Sequence, residues 1–335
     1  MIRSMGLVEV IFYTVLFLLL CARLWPICLD IAKEVITEKL RKCGLSIGEN
    51  EQEQVSDINV TKRRFWIGNL INRNKGIQMG YKLGDFYTRD LAKTLSILLE
   101  ATYLTILPYQ RRLDFGDFIY LSILGKYMQY STALWTGRDI TLEKAQTLKM
   151  EQLCRTLKIY PGLRVLVISS DWGGFSSYLK TTYKIDSTCL VPSEQIRLGK
   201  ELFPNVQLFS EDPSMYCTKH PDEFDRIICI ETEVDYSKVR RALKKDGLFL
   251  LETTKPLSSV TRYSESHFLI SDIMDLSLHY SATLQSWQTH IENLFHFTTH
   301  LKCEDKVYRD IIYHLTLYRL AFQKRKLQLW HILLS

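Results

Sequence analysis

The sequence contains no Cys-x-x-Cys pair and no closely spaced histidines. Its eight cysteines (Cys21, Cys28, Cys43, Cys154, Cys189, Cys217, Cys229 and Cys303) therefore read as thiols of a reducing compartment. Neither a zinc site nor a disulfide framework is expected from them. No dense basic block stands apart from acidic neighbours, so the net charge of +6 is no nucleic-acid footprint, though it favours an anionic membrane surface. Internal repeats and low-complexity tracts are absent. So is an uncharged apolar run of the about 20 residues that a membrane span needs. What is present is a chain of 335 residues, 46% hydrophobic and 24% charged, ordinary for a globular protein. It is long enough for one large domain or two modest ones.

The apolar run closest to a span is 10–22 (VIFYTVLFLLLCA), extended by 24–29 after Arg23. Three readings compete. A signal peptide has the right length, but no small-x-small cleavage site follows. A buried core helix is a second. A signal anchor, with Glu9 and Arg23 snorkelling at its ends, fits the N-terminal position and composition best. Arg3 alone precedes it, whereas Arg23, Lys33, Lys39, Arg41 and Lys42 follow, so the positive-inside rule places the main domain in the cytosol. The expected organisation is an anchor over 1–30, a juxtamembrane and helical segment over 31–110, and a main domain over 111–335.

From Thr141 the pattern becomes regular. The spacing predicts a helix over 142–157 with Thr141 as cap, broken by Pro161-Gly162. Strands follow at 164–169, 188–191, 206–209, 224–230 and 248–252, with helices at 175–183, after Pro192-Ser193, and at 238–243. The part beyond 270 adds a strand, helices at 284–295 and 305–322, and a last strand near 328–334. Strands alternating with helices at this rhythm predict an α/β fold with a doubly wound, mostly parallel sheet. In such a sheet ligands bind where a strand end meets a helix start, and 164–174 (RVLVISSDWGG) has that form.

These residues resemble one family, the cyclopropane-fatty-acid synthase and mycolic-acid cyclopropane synthase group of S-adenosylmethionine-dependent methyltransferases. The resemblance is carried by MQYSTALW (128–135), the 141–157 helix, PGLRVL (161–166), FDRI (224–227), LKKDGLFLL (243–251) and AFQKRKLQLW (321–330), in order and at family spacing. It covers roughly 110–335 and implies a Rossmann-like class I methyltransferase fold. The implied activity is methyl transfer to an unsaturated acyl chain of a membrane phospholipid, a step of lipid biosynthesis.

The family's glycine-rich cofactor loop survives here only in part. Val167 stands for its Asp, Ser169 for its first Gly and Asp171 for its second, while Trp172, Gly173 and Gly174 remain. Asp171 brings a carboxylate where close backbone approach to the cofactor is expected, which suits the cofactor's ammonium and repels its carboxylate. Retained and lost binding both stay open. The resemblance further places Tyr130, Ser131, Gln195 and Glu211 against the cofactor.

The family holds a bicarbonate base with a Cys, a Glu, a His and a Tyr. Here the Tyr is Tyr280, the Cys position is Thr132, the His position is Glu252, and Glu233 is the nearest candidate for the Glu. An ionised Glu252 repels bicarbonate, but it becomes a base itself if burial raises its pKa. The expected partners are thus a lipid substrate and a membrane, with no nucleic acid. Two alternatives remain: a pseudoenzyme of the same fold acting as a lipid- or protein-binding module, and a methyltransferase with another acceptor.

Overall fold

The computed structural model describes residues 7–49, 56–106, 116–137, 139–297 and 305–335, without the side chains of 7–22 and 297. The chain divides into two units, one of 1–105 with 303–313 and one of 106–302 with 314–335.

The first unit holds helices α1 (Leu7–Lys42), α2 (Arg64–Ile71), α3 (Arg73–Lys82) and α4 (Leu91–Glu100). Its small sheet runs β1 (Ile47–Gly48), β2 (Ile58–Val60), β3 (Phe86–Tyr87), the first pair parallel and the second antiparallel. The apolar run over 10–22 lies on the backbone of α1, and its side chains are outside the described residues. Among the described residues no helix is long and apolar enough to cross a membrane.

The second unit opens with α5 (Asp117–Ile123) and α6 (Leu142–Thr156). It continues through β4 (Val165–Ser169), α7 (Gly174–Tyr178, widening into a π turn over Leu179–Tyr183), β5 (Thr188–Leu190), α8 (Ser193–Leu202) and β6 (Gln207–Phe209). Then come α9 (Pro213–Lys219), β7 (Phe224–Ile230), α10 (Tyr236–Ala242), β8 (Leu243–Thr253), α11 (Leu257–Ser264), β9 (Ile270–Asp275) and α12 (Ser277–Phe297). Helix α13 (Asp305–Gln323) starts in the first unit and ends in the second, before β10 (Trp330–Leu334).

The seven strands are ordered β6-β5-β4-β7-β8-β10-β9, parallel as far as β8, with β10 antiparallel to both β8 and β9. Both faces are covered because successive side chains of a strand point to opposite sides. Val165 and Val167 join one core with Met150, Leu153, Phe175 and Ile228. Leu166 and Ile168 join the other with Cys217, Ile227, Val239 and Phe249. A strand read as a continuous apolar run is therefore buried on both sides. The strand order reverses at β4, which puts a crevice at the carboxyl ends of β4 and β7, the usual ligand position in open α/β sheets.

Sequence periodicity missed three short helices, α5, α9 and α11, and placed the start of α12 at 284 where it lies at 277. It found the other helices of this unit to within a few residues of the observed ends, with β8 starting earlier than expected.

Candidate active site

The turn after β4 is tightly closed. Gly173 has φ +95°, a conformation glycine adopts freely. A Cβ on Gly174 would lie 1.7 Å from the Tyr127 carbonyl oxygen, so only glycine lets that backbone segment approach. Asp171 is folded back into its own turn. Its Oδ1 accepts from Gly173 N at 3.2 Å and its Oδ2 from Gln129 Nε2 at 3.0 Å, while its own N–H donates to Ser169 Oγ at 3.3 Å.

Aromatic rings fill the space beside this turn. Tyr120 of α5 meets Trp172 at 5.0 Å and Tyr130 at 5.4 Å, both edge-on. Tyr130 stacks parallel on Trp287 at 5.2 Å, and Trp287 meets Tyr280 edge-on at 6.2 Å. Ser169, Asp171, Trp172, Tyr130 and Gln195 are each no more than 2% exposed.

A charged network lies at the ends of β7 and β8. Lys149 Nζ is 2.8 Å from Glu252 Oε2 and donates to Ser131 Oγ at 2.7 Å. His331 Nε2 is 2.5 Å from the same Glu252 oxygen, the two residues being paired across β8 and β10. Glu252 and Lys149 are almost wholly buried. Burial alone pushes the Glu252 carboxyl up, but the Lys149 ammonium and the His331 hydrogen bond outweigh it and hold the carboxyl well below the usual range. Burial has the opposite outcome at Glu231. There it adds to repulsion from Glu252, and together they raise the Glu231 carboxyl to about 8, against the pull of Lys149 and Tyr280. Burial likewise raises Tyr280 well above the ordinary phenol.

The expected site residues are thus only partly brought together. Tyr280 is buried beside an acid. That acid is Glu231 rather than Glu233, which is exposed and paired with Lys255. Glu231 takes a left-handed φ of +48° directly after β7, and its Oε1 is sealed from solvent. Glu252 is not a base of raised pKa, because its charge is matched by Lys149. Thr132 is buried, but its hydroxyl donates to the Ala133 carbonyl at 3.1 Å and is not offered to an anion. Glu211 pairs with Lys219.

Lys149, Glu231, His331 and Gln129 were not foreseen. A signal existed for Lys149: it falls on the buried face of α6 with Leu142, Ala145, Gln146, Met150 and Leu153, where a cation is out of place. His331 had none, since its partner is set by strand pairing.

Six sealed polar atoms make no hydrogen bond of good geometry: Gln129 Oε1, Gln195 Oε1, Glu231 Oε1, Glu252 Oε1, Tyr280 Oη and Trp287 Nε1. The Tyr280 hydroxyl lies close enough to Glu231 to lower that carboxyl, yet without alignment. Each such atom costs about 1–3 kcal/mol when left unmade, so clustering at a switch point marks a place for polar ligand groups. Among the described residues no cluster of His, Cys, Asp and Glu has a metal-binding arrangement.

A mostly parallel sheet of this order is the Rossmann-like fold that class I methyltransferases share. Known structures of that class superpose on it. The cyclopropane synthase MmaA2 from Mycobacterium tuberculosis matches with a TM-score of 0.58 at 18% identity, over 66% of this chain and 94% of that one. The mycolic acid cyclopropane synthase CmaA1, complexed with SAH and CTAB, matches with a TM-score of 0.57 at 19% identity, over 68% of this chain and 99% of that one.

The family model for mycolic acid cyclopropane synthetase matches residues 106–261. Cyclopropane-fatty-acyl-phospholipid synthase of Escherichia coli strain K12 is 26% identical over 262 residues, 66% of this chain and 66% of its own length. Sphingolipid C9-methyltransferase of Candida albicans is 24% identical over 52% of this chain and 44% of its own length. This domain thus resembles the cyclopropane-fatty-acid synthase and mycolic-acid cyclopropane synthase family of methyltransferases.

Proposed function

We propose that the chain is an S-adenosylmethionine-dependent methyltransferase acting on an unsaturated acyl chain of a membrane phospholipid. The observation that carries this reading is the set of unpartnered polar atoms on Glu231 after β7, on Glu252 at the end of β8 and on Gln129, which bonds Asp171 after β4, in a domain that resembles this family. When bound, the cofactor supplies an electrophilic methyl group. The residues present fit its polar groups: Gln129 and Gln195 offer acceptors without donors, suited to an ammonium and to ribose hydroxyls. Trp172 and Tyr130 are the apolar walls. Access requires that the Tyr120 contacts with Trp172 and Tyr130 part, since the turn is closed.

The acyl acceptor is supported by relatives named for fatty-acyl-phospholipid and sphingolipid methylation. We further propose that the apolar run over 10–22 anchors the protein, with its main domain on the cytosolic face, where basic residues after the run meet an anionic leaflet. No residue set supports a bound bicarbonate, because Thr132 is turned away and Glu252 already holds the local cation.

A specific observation favours a second reading, a non-catalytic lipid- or partner-binding descendant. Asp171 uses its own carboxylate to fill the turn. Calorimetry of the full chain with S-adenosylmethionine separates the two. Heat at sub-millimolar ligand supports the transferase, and no heat at about 1 mM, an affinity of only about −4 kcal/mol, selects the descendant. Lipids heavier by one methylene in expressing cells identify the acceptor, and their absence despite cofactor binding points to another.

A further inference from the structure

We infer that Glu231 is the proton-accepting group of this site, supplied by the chain itself, and that Glu252 is a fixed charge held by Lys149 and His331 rather than a second base. The inference rests on the methyl-transfer reading and deepens it by naming the group that takes the proton the acceptor must lose.

The two oxygens of Glu252 have different surroundings. Oε2 takes both Lys149 and His331, whereas Oε1 has no partner. Glu231 Oε1 and Tyr280 Oη are unpartnered as well. These three oxygens belong to adjacent pieces of structure: Glu231 follows β7, its N–H donating to the Glu252 carbonyl at 3.0 Å, and Tyr280 lies in the first turn of α12. The charged and titratable groups acting on Glu231 are Glu252 from β8, Lys149 from α6 and Tyr280 from α12. Lys149 and His331 are both engaged with Glu252, so no cation is committed to Glu231.

Two carboxyls whose surroundings push their affinities for protons apart take different roles. Glu252 stays ionised. Glu231, raised to about 8, exchanges its proton near neutral pH. In the step, a bond from hydrogen to the methylated acceptor breaks, its electron pair remains on the acceptor, and the proton passes to Glu231 Oε1. Tyr280 Oη, beside the same carboxyl, favours the ionised form that receives it. No inorganic anion takes part.

Infrared difference titration of the full chain, without cofactor, from about pH 5 to about pH 10 reads the acid directly. The expected result is a protonated carboxyl that ionises near 8 and is missing in Glu231→Gln. In Glu252→Gln the same carboxyl titrates in the ordinary range, because its repelling neighbour is gone and Lys149 turns to it. That variant strips a buried cation of its partner, so the double variant Lys149→Met/Glu252→Gln is measured beside it. There burial alone keeps Glu231 raised. A carboxyl signal that survives Glu231→Gln, or no carboxyl ionising above about pH 6, overturns the inference.

Calorimetry with S-adenosylmethionine on the same samples separates the two readings. Heat without a Glu231 titration overturns the acid alone, and a Glu231 titration without heat overturns the transfer alone. With turnover, Glu231→Gln lowers kcat about 100-fold or more with the cofactor Kd little changed, and removing bicarbonate changes neither.

Discussion

Asp171 illustrates how one side chain holds a site shut. Its carboxylate accepts from Gly173 N within the turn and from Gln129 Nε2 outside it, each bond worth about 1 kcal/mol. Asp171→Gly is expected to lower the melting temperature and to tighten cofactor binding, read by thermal unfolding and calorimetry; unchanged affinity rejects this account of the turn. Lys149 is the second such residue. Lys149→Met leaves the buried Glu252 with His331 as its one remaining partner, so about 3–5 kcal/mol of stability should be lost, with much of it recovered when Glu252→Gln is added.

The pair also shapes stability against pH. Glu252 has a folded pKa below its unfolded value, so its contribution is present above the usual carboxylate range and lost as pH falls through the folded pKa. Glu231 runs the other way: between the usual range and about 8 the folded state keeps a proton that the unfolded state has released. Its contribution is full at low pH and lost as pH rises toward 8. Glu231→Gln should therefore flatten the decline in unfolding free energy between about pH 5 and about pH 8, measured by urea titration.

At the level of elements, α6 does two jobs. Its apolar stripe covers one face of the sheet, and the one cation on that stripe reaches the ends of β7 and β8. The helix starts where sequence rules place it, Thr141 Oγ1 accepting from Lys144 N at 3.3 Å. Thr141→Ala should cost about 1 kcal/mol, and because Lys149 rides on the same helix, it should also shift the infrared titration of Glu231. A cost without that shift means that the helix start and the site are uncoupled. The short helix α9 escaped detection because its seven residues carry too few turns for a period to show. Glu231 escaped for a related reason: it and Glu233 are two residues apart with no periodic pattern to separate them, and only packing seals the one and leaves the other exposed beside Lys255.

For the whole molecule, the proposed anchor over 10–22 is tested directly. Leu18→Arg with Leu19→Arg should abolish carbonate-resistant membrane association of the full chain, measured by flotation, while leaving cofactor calorimetry unchanged. Persistent association would locate membrane affinity elsewhere.

The sequence by itself determined the α/β rhythm, the strands of the main domain and the resemblance to the family, because these follow from short-range periodicity and from motifs carried in order along the chain. Burial then raises Cys189 and Cys229 to about 12, which keeps them inert. Only the tertiary structure decided the protonation of the site. Lys149, Glu231, Glu252, Tyr280 and His331 come from five separate elements, and whether a buried carboxyl is ionised depends on which charges the packing sets beside it.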